Sequence, residues 1–176
     1  MLAKIVSVGC LLAALAAPSA IGQSVYRDIV AEDEREPAPN FHAKTLAGLQ
    51  FNNESIRGKV VLFQFWTTWC HYCRSEESLV NDITTEFADQ GLIVIAVDVG
   101  ESKKVVQQYL KDHPRKCHIV MTGDTNLAAM YEATRYPIYV VVDREGKIVD
   151  TQRGAAGARR LRQTLARAGI QPKNSD

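Results

Sequence analysis

Cys70 and Cys73, in Trp69-Cys70-His71-Tyr72-Cys73, are the residues of this chain best suited to do chemistry. Two thiols separated by two residues can close and reopen a short disulfide. An apolar run, Lys59 to Phe65, leads into them, and Leu79, Val80, Ile83 and Phe87 follow at helical spacing. The pair therefore falls where a buried strand ends and a helix begins. The first turn of a helix carries unpaired N–H groups and the positive end of the peptide dipoles. A thiolate placed there is stabilised and works as a nucleophile near neutral pH. Cys70, at the helix mouth, is the expected attacking sulfur, and Cys73, one turn further in, the more buried resolving one. His71 and Tyr72 stand beside both. A protonated His71 would stabilise the thiolate and make the pair more oxidising; the other reading is an exposed histidine with little effect. Zinc is the competing use of such a pair, but a structural zinc site takes four ligands. No second C-x-x-C or H-x-x-H is present, so a redox pair is expected and a metal site is not.

Composition narrows what the pair would serve. With 21 basic and 20 acidic residues the formal net charge is +1, so no surface field draws in a polyanion and nucleic acid is not an expected partner. The 176 residues suit one domain with a real core plus a leader. Residues 1–22 have the pattern of a signal peptide: Lys4, an apolar stretch from Ile5 to Ala17, Pro18, and small residues around Ala20-Ile21-Gly22. That stretch is shorter than the ~20 residues of a membrane span; an uncleaved anchor is the alternative. Cleavage near Gly22 would put the chain in the periplasm or on the outer face of the membrane, and would remove Cys10. The remaining cysteines, one close pair and Cys117, are not a disulfide framework. In an exported protein that count points to redox exchange rather than stapling. Cys117 is expected as a small buried hydrophobe, with a third redox thiol as the other reading.

The elements that must position the pair follow from periodicity. Residues 23–38 are polar, with Glu32-Asp33-Glu34-Arg35-Glu36 before two prolines, and read as an acidic linker. Phe41 to Phe51 alternates weakly and suits a short edge hairpin. Val60 to Trp66 is apolar almost throughout, as in a central strand covered on both faces. The helix after the cysteines is expected to run to about Gln90, with Gly91 behind it. Leu92 to Val99 is a second buried strand. Ser102 caps a helix carrying Val105, Val106, Tyr109 and Leu110, stopped by Pro114. Cys117 to Thr122 is a short strand, and Asp124 or Thr125 caps a short helix. Ile138 to Val142 and Lys147 to Gln152 form a hairpin about Asp143-Arg144-Glu145-Gly146. Ala158 to Ala168 is a final helix, closed by Gly169, with Arg159, Arg160, Arg162 and Arg167 on a solvated face. Strands alternating with helices, then a hairpin and a helix, predict an α/β fold with a central mixed β-sheet flanked by helices on both faces.

The segment Phe65-Trp66-Thr67-Thr68-Trp69-Cys70-His71-Tyr72-Cys73-Arg74-Ser75-Glu76 resembles the active-site segment of the TlpA/ResA-type thiol:disulfide oxidoreductases, exported proteins of thioredoxin-like fold. Several members of that family serve cytochrome c maturation. The similarity extends to Pro39-Asn40-Phe41, to Arg57 to Leu62, to Val97-Asp98-Val99-Gly100-Glu101-Ser102, and to Tyr136-Pro137 with Val140 to Lys147. It spans a thioredoxin-like domain over 39–170, leaving 171–176 as a C-terminal tail. The resemblance implies that Glu76, three residues after Cys73 and on the same helix face, is the active-site acid, able to take the proton of Cys73. Gln64 stands where ordinary thioredoxins keep a buried acid, and Glu77 reads as a helix-surface residue. The resemblance also implies a cis Tyr136–Pro137 bond against the disulfide, with the Tyr136 backbone receiving an extended substrate; a trans turn proline is the other reading. Trp66 is expected in the core and Trp69 on an exposed apolar docking surface. Tyr136, Ile138 and Tyr72 depart from the family's pattern and bear on substrate choice and redox tuning.

The expected activity is thiol:disulfide exchange with cysteine-containing exported proteins, as a reductase recycled by a membrane thiol donor. The expected protein is a monomer with no cofactor beyond the Cys70–Cys73 pair. Oxidase or isomerase work uses the same reversible chemistry. Two other classes compete. Thr67-Thr68-Trp69-Cys70 gives the T-x-x-C of a thiol peroxidase, but Phe63 stands where that motif wants proline. A copper-binding chaperone would use Cys70 and Cys73, but lacks a suitably placed distal His or Met.

Overall fold

The structure is a computed structural model and describes residues 34–171. The expected signal peptide, the linker up to Asp33 and the last five residues of the tail lie outside them. No helix among the described residues is long and apolar enough to cross a membrane.

Strand β3, Val60–Trp66, is buried at every position. Its neighbours are β4, Leu92–Asp98, in parallel, and β6, Ile138–Val142, antiparallel. β5, His118–Thr125, extends the sheet beyond β4, followed by β1, His42–Thr45, and β2, Gln50–Asn52; β7, Ile148–Arg153, closes the opposite edge. The order is β2-β1-β5-β4-β3-β6-β7, the mixed thioredoxin-like sheet. Because side chains alternate along a strand, β3 divides the core. Val61, Phe63 and Phe65 pack with Ile95, Val97, Leu127, Tyr131 and Val140. Val60, Leu62 and Trp66 face the other way, against Val80, Ile83, Phe87, Val106, Leu161 and Leu165 from the longer helices. Each fully buried side chain of this kind contributes about 1.5–3 kcal/mol. Gln64, Tyr139 and Asp98 belong by the same parity to the second face, which also holds both cysteines.

One expected helix is two. α1, His71–Ser75, ends at Glu76, whose backbone leaves the helical range at φ −108°, ψ 8°. α2, Glu77–Glu86, resumes at once, and a 3₁₀ turn, Ala88–Gln90, follows to Gly91 in the left-handed region. The break coincides with the Glu76 side chain being drawn into bonds with distant elements. α3, Lys103–Asp112, is capped by Ser102 Oγ accepting from Val105 N–H, as the spacing predicts. α4, Leu127–Met130, starts after Asn126, with Thr125 Oγ1 accepting from Leu127 N–H. α5, Gly157–Arg167, has no side-chain cap of its own, because Ala156 cannot supply one. Its arginines are more engaged than a solvated face requires. Arg162 pairs with Glu86 and lies over Phe87, while Arg160 and Arg167 reach Asp150 at 3.6 and 3.2 Å.

The lead-in is tied down from Arg35. Ala38 N–H donates to Gly146 O, Ile148 N–H donates to Glu36 O, and Pro37 bridges Lys147. Asp143, almost fully buried, receives Arg35 Nη1 at 3.0 Å, Glu145 N–H at 3.2 Å and Lys147 N–H at 2.8 Å. One carboxylate thus joins the lead-in to the β6–β7 turn. Asp143→Ala should lower stability by about 2–3 kcal/mol, the cost of removing a buried acceptor of several charge-assisted bonds. The measurement is the urea midpoint, and an unchanged midpoint would contradict this assignment.

Candidate active site

Val60 to Trp66 delivers the chain to the sheet's C-terminal edge, and Thr67 to Trp69 turn it into α1. Cys70 is the N-cap of α1, its Sγ accepting from Cys73 N–H at 3.1 Å. Any side-chain acceptor at this position satisfies an orphan donor of the first turn; here the acceptor is sulfur. Cys70 and Cys73 are joined in a disulfide with their Cα atoms 5.2 Å apart. Cys70 keeps 6% of its surface exposed and Cys73 none, so an incoming thiolate can approach only Cys70.

Around this edge the aromatic residues are exposed. Trp69 and Tyr72 are 68% and 62% accessible. Trp69 meets Tyr136 edge-on at 6.1 Å, and His71 meets Tyr72 at 5.5 Å. The Tyr136–Pro137 bond is cis. Tyr136 donates its hydroxyl to Ala133 O, and burial with the nearby Asp98 charge raises its pKa. The fold therefore gathers Trp69, Tyr136 and the Cys70 turn from segments far apart in the chain.

Glu76, three residues after Cys73, is buried. Its Oε2 accepts from Tyr139 O–H at 2.8 Å and from Ala156 N–H at 3.2 Å; its Oε1 accepts from Gly157 N–H at 2.6 Å. It caps α5 across 80 residues of sequence, at the end where the peptide dipoles favour an anion. Behind Tyr139, Gln64 Nε2 donates to the tyrosine oxygen at 3.1 Å. Arg115 Nη2 donates to Gln64 Oε1. Burial and Glu76 raise the pKa of Tyr139, which keeps its proton in place.

Glu77 is not the surface residue its neighbour suggested. It is half-buried and accepts from Tyr109 O–H, with His113 Nδ1 at 3.2 Å and Arg115 Nη1 at 3.8 Å. The Arg115 side chain is fully buried, its guanidinium 4.9 Å from the centre of the Trp66 ring. Cys117 is buried beside it, and burial pushes its thiol pKa up against the opposing influence of Arg115. A thiol held protonated is a poor nucleophile, which fits the hydrophobe reading.

A second acidic pair sits under the Thr67–Trp69 turn. Glu101 accepts from Thr68 N–H at 2.6 Å and from Thr68 Oγ1 at 2.7 Å. Asp98, fully buried at the end of β4, accepts from Glu101 N–H at 3.2 Å. Its other oxygen has no hydrogen-bond partner among the described residues. Burial raises its pKa to about 7, with the hydrogen bond and charge of Glu101 adding to the rise. Glu101, Tyr139 and Arg115 carry no local signal that marks them; only their three-dimensional partners do. A raised carboxyl pKa means that the folded state holds a proton which the unfolded chain releases. The Asp98 contribution is therefore greatest below about pH 4, falls as pH rises, and is lowest above about pH 7. Asp98→Asn should flatten that fall, on the order of 3 kcal/mol, in urea titrations across the window; parallel curves for the two proteins would refute it.

Comparison with known proteins agrees with this geometry. The AhpC/TSA family matches residues 35–151. The thiol-disulfide oxidoreductase ResA of Bacillus subtilis is 30% identical over 139 residues, covering 77% of this chain and 78% of that protein. The thioredoxin-like protein YneN of the same organism is 30% identical over 145 residues, 81% of this chain and 85% of its own length. A crystal structure of a thiol:disulfide interchange protein, a thioredoxin family protein from Chlorobium tepidum, superposes with a TM-score of 0.68 at 25% identity, over 77% of this chain and 97% of that one. The disulfide at a helix mouth, the thioredoxin-like sheet and these relatives lead to one assignment: the chain is a thiol:disulfide oxidoreductase of the AhpC/TSA family, of the ResA/TlpA-like thioredoxin-fold type.

Proposed function

We propose that this oxidoreductase works outside the cytoplasm as a reductase of disulfides in exported, cysteine-containing proteins, apocytochrome c among them. The observation that carries the reading is the sulfur pair itself, with Cys70 at a helix N-terminus beside exposed aromatics and Cys73 buried one turn away. The signal-like pattern of residues 1–22 supports export, and the resemblance to cytochrome c maturation proteins supports the substrate class. The chain acts as a monomer, and the two sulfurs carry the electrons without a further cofactor or metal.

In this reading a substrate docks on Trp69, Tyr136 and the Pro137 edge, with His71 and Tyr72 bordering the sulfurs and tuning their potential. Cys70 thiolate attacks one substrate sulfur, forming a mixed disulfide and releasing the other sulfur as thiolate. Cys73 then gives its proton to Glu76, and its thiolate attacks Cys70 Sγ. The Cys70–Cys73 bond forms and the second substrate sulfur leaves as thiolate, so the substrate is reduced by two electrons and the pair is oxidised by two. The oxidised pair is recycled by a membrane thiol donor.

Cys70→Ala should abolish reduction of insulin disulfides, whereas Cys73→Ala should trap the substrate as a mixed disulfide visible on non-reducing gels. Insulin reduction retained by the Cys70 variant would defeat the mechanism. A reductase should also show a potential nearer that of thioredoxin, about −270 mV, than that of DsbA, about −120 mV; a value near the latter would reverse the direction of exchange.

A further inference from the structure

Four polar side chains cross the helix-packed face of the sheet in single file: Arg115, Gln64, Tyr139 and Glu76. Gln64 and Tyr139 are direct cross-strand partners on β3 and β6. All four side chains are buried. Arg115 commits one nitrogen to the file, Nη2, while its Nε and Nη1 have no hydrogen-bond partner among the described residues; along the file itself the direction of every bond is determined from one end. An arginine side chain has donors and no acceptor. Gln64 must therefore turn its carbonyl oxygen to Arg115 and its amide nitrogen to Tyr139. That nitrogen occupies the tyrosine oxygen as an acceptor, so the tyrosine proton is left for Glu76. The remaining partners of Glu76, Ala156 N–H and Gly157 N–H, are donors as well.

We propose that Arg115 sets the polarity of this hydrogen-bond chain and so keeps Glu76 an acceptor, ready to take the proton of Cys73. The inference rests on the role given to Glu76 above and adds Arg115, Gln64 and Tyr139 as positioning residues. None of the three acts directly on the Cys70–Cys73 pair in this scheme; they act through one carboxylate. An ionised carboxylate has about four lone-pair sites. Two on Oε2 and one on Oε1 are filled, so the open site is on Oε1. Arg115 is held in its place by the Trp66 ring and by Glu77, which accounts for a buried cation in this core. Gln64 thus does what an acid at the same position could not. A carboxylate there would accept from both Arg115 and Tyr139, and would take the tyrosine proton away from Glu76.

The test separates the two sulfur steps. The reduced full-length protein is mixed with a chromogenic aromatic disulfide under stopped flow. The first equivalent of aromatic thiolate reports the attack of Cys70, and the second reports the attack of Cys73 on the mixed disulfide. Tyr139→Phe removes one oxygen and keeps the ring. It should slow the second phase about tenfold, the scale of one hydrogen bond to a charged group, and move its acid limb to higher pH, because the ionised carboxylate has lost a donor. Gln64→Glu, which turns the tyrosine proton away, should do the same without changing the packing volume much. Arg115→Met should follow both. In a Glu76→Gln background none of these changes should slow the second phase further. A second phase unchanged in Tyr139→Phe and Gln64→Glu, or slowed equally with and without Glu76, overturns the relay while leaving the exchange mechanism intact. A second phase unchanged in Glu76→Gln alone overturns the role of Glu76 and the relay with it. Loss of thiolate release in Cys70→Ala is the separate check on the exchange reading.

Discussion

The structure depends on one buried carboxylate. Glu76 stands at the break between α1 and α2, receives the hydroxyl of β6, and caps the N-terminus of α5. Three elements separated by up to 81 residues meet on its two oxygens. A helix that begins with Ala156 and Gly157 has no side-chain cap of its own, so removing this carboxylate would leave the N–H groups of its first turn without their acceptor. The residue expected to move a proton for Cys73 is thus also what holds the last helix against the active-site helix. The atoms proposed to do the chemistry are those that join these elements.

That sharing explains how polar groups are distributed over the two faces of the sheet. One face is packed almost wholly with apolar side chains, Phe63, Phe65, Leu127 and Tyr131 among them. The other carries Gln64, Tyr139, Glu76 and Asp98 beneath the cysteines, and Arg115 joins them from the β5 side. Burying polar groups is costly unless each is paired. The chain offsets part of that cost by linking four of them into one file and by setting the Arg115 guanidinium against Trp66 and Glu77. Among the described residues Trp66 Nε1, Thr67 Oγ1 and Arg115 Nε and Nη1 also have no hydrogen-bond partner, and Asp98 keeps one oxygen unpartnered, its pKa raised by burial. It lies under the turn that Glu101 holds through Thr68, so the site's rim rests on the least comfortable group in the core.

The rim and the interior divide the labour between them. Trp69 and Tyr72 project into solvent beside a sulfur that is only slightly accessible. Inside, Cys73 is sealed from solvent, which keeps its thiol from reacting with anything except the neighbouring sulfur. Access thus distinguishes the two sulfurs, Cys70 being slightly exposed and Cys73 not at all.

Much of this was legible in the sequence because it is local. The strand from Val60 to Trp66, the C-x-x-C at its end, the Ser102 cap and the hairpin about Asp143 all rest on periodicities or spacings of a few residues, and each is found where those rules put it. The helix break at Glu76, the half-burial of Glu77, the tethering of Arg35 and the relay were not legible there. Their partners lie at separations from 32 to 108 residues, and no pattern of neighbours encodes such a meeting. By itself the sequence determined that two sulfurs would sit at a helix mouth, since a helix start and a buried strand are dictated by adjacent residues. How Glu76 would be bonded, and with what hydrogen-bond direction, was decided only when sheet pairing brought Gln64 opposite Tyr139 and packing closed α5 onto Glu76.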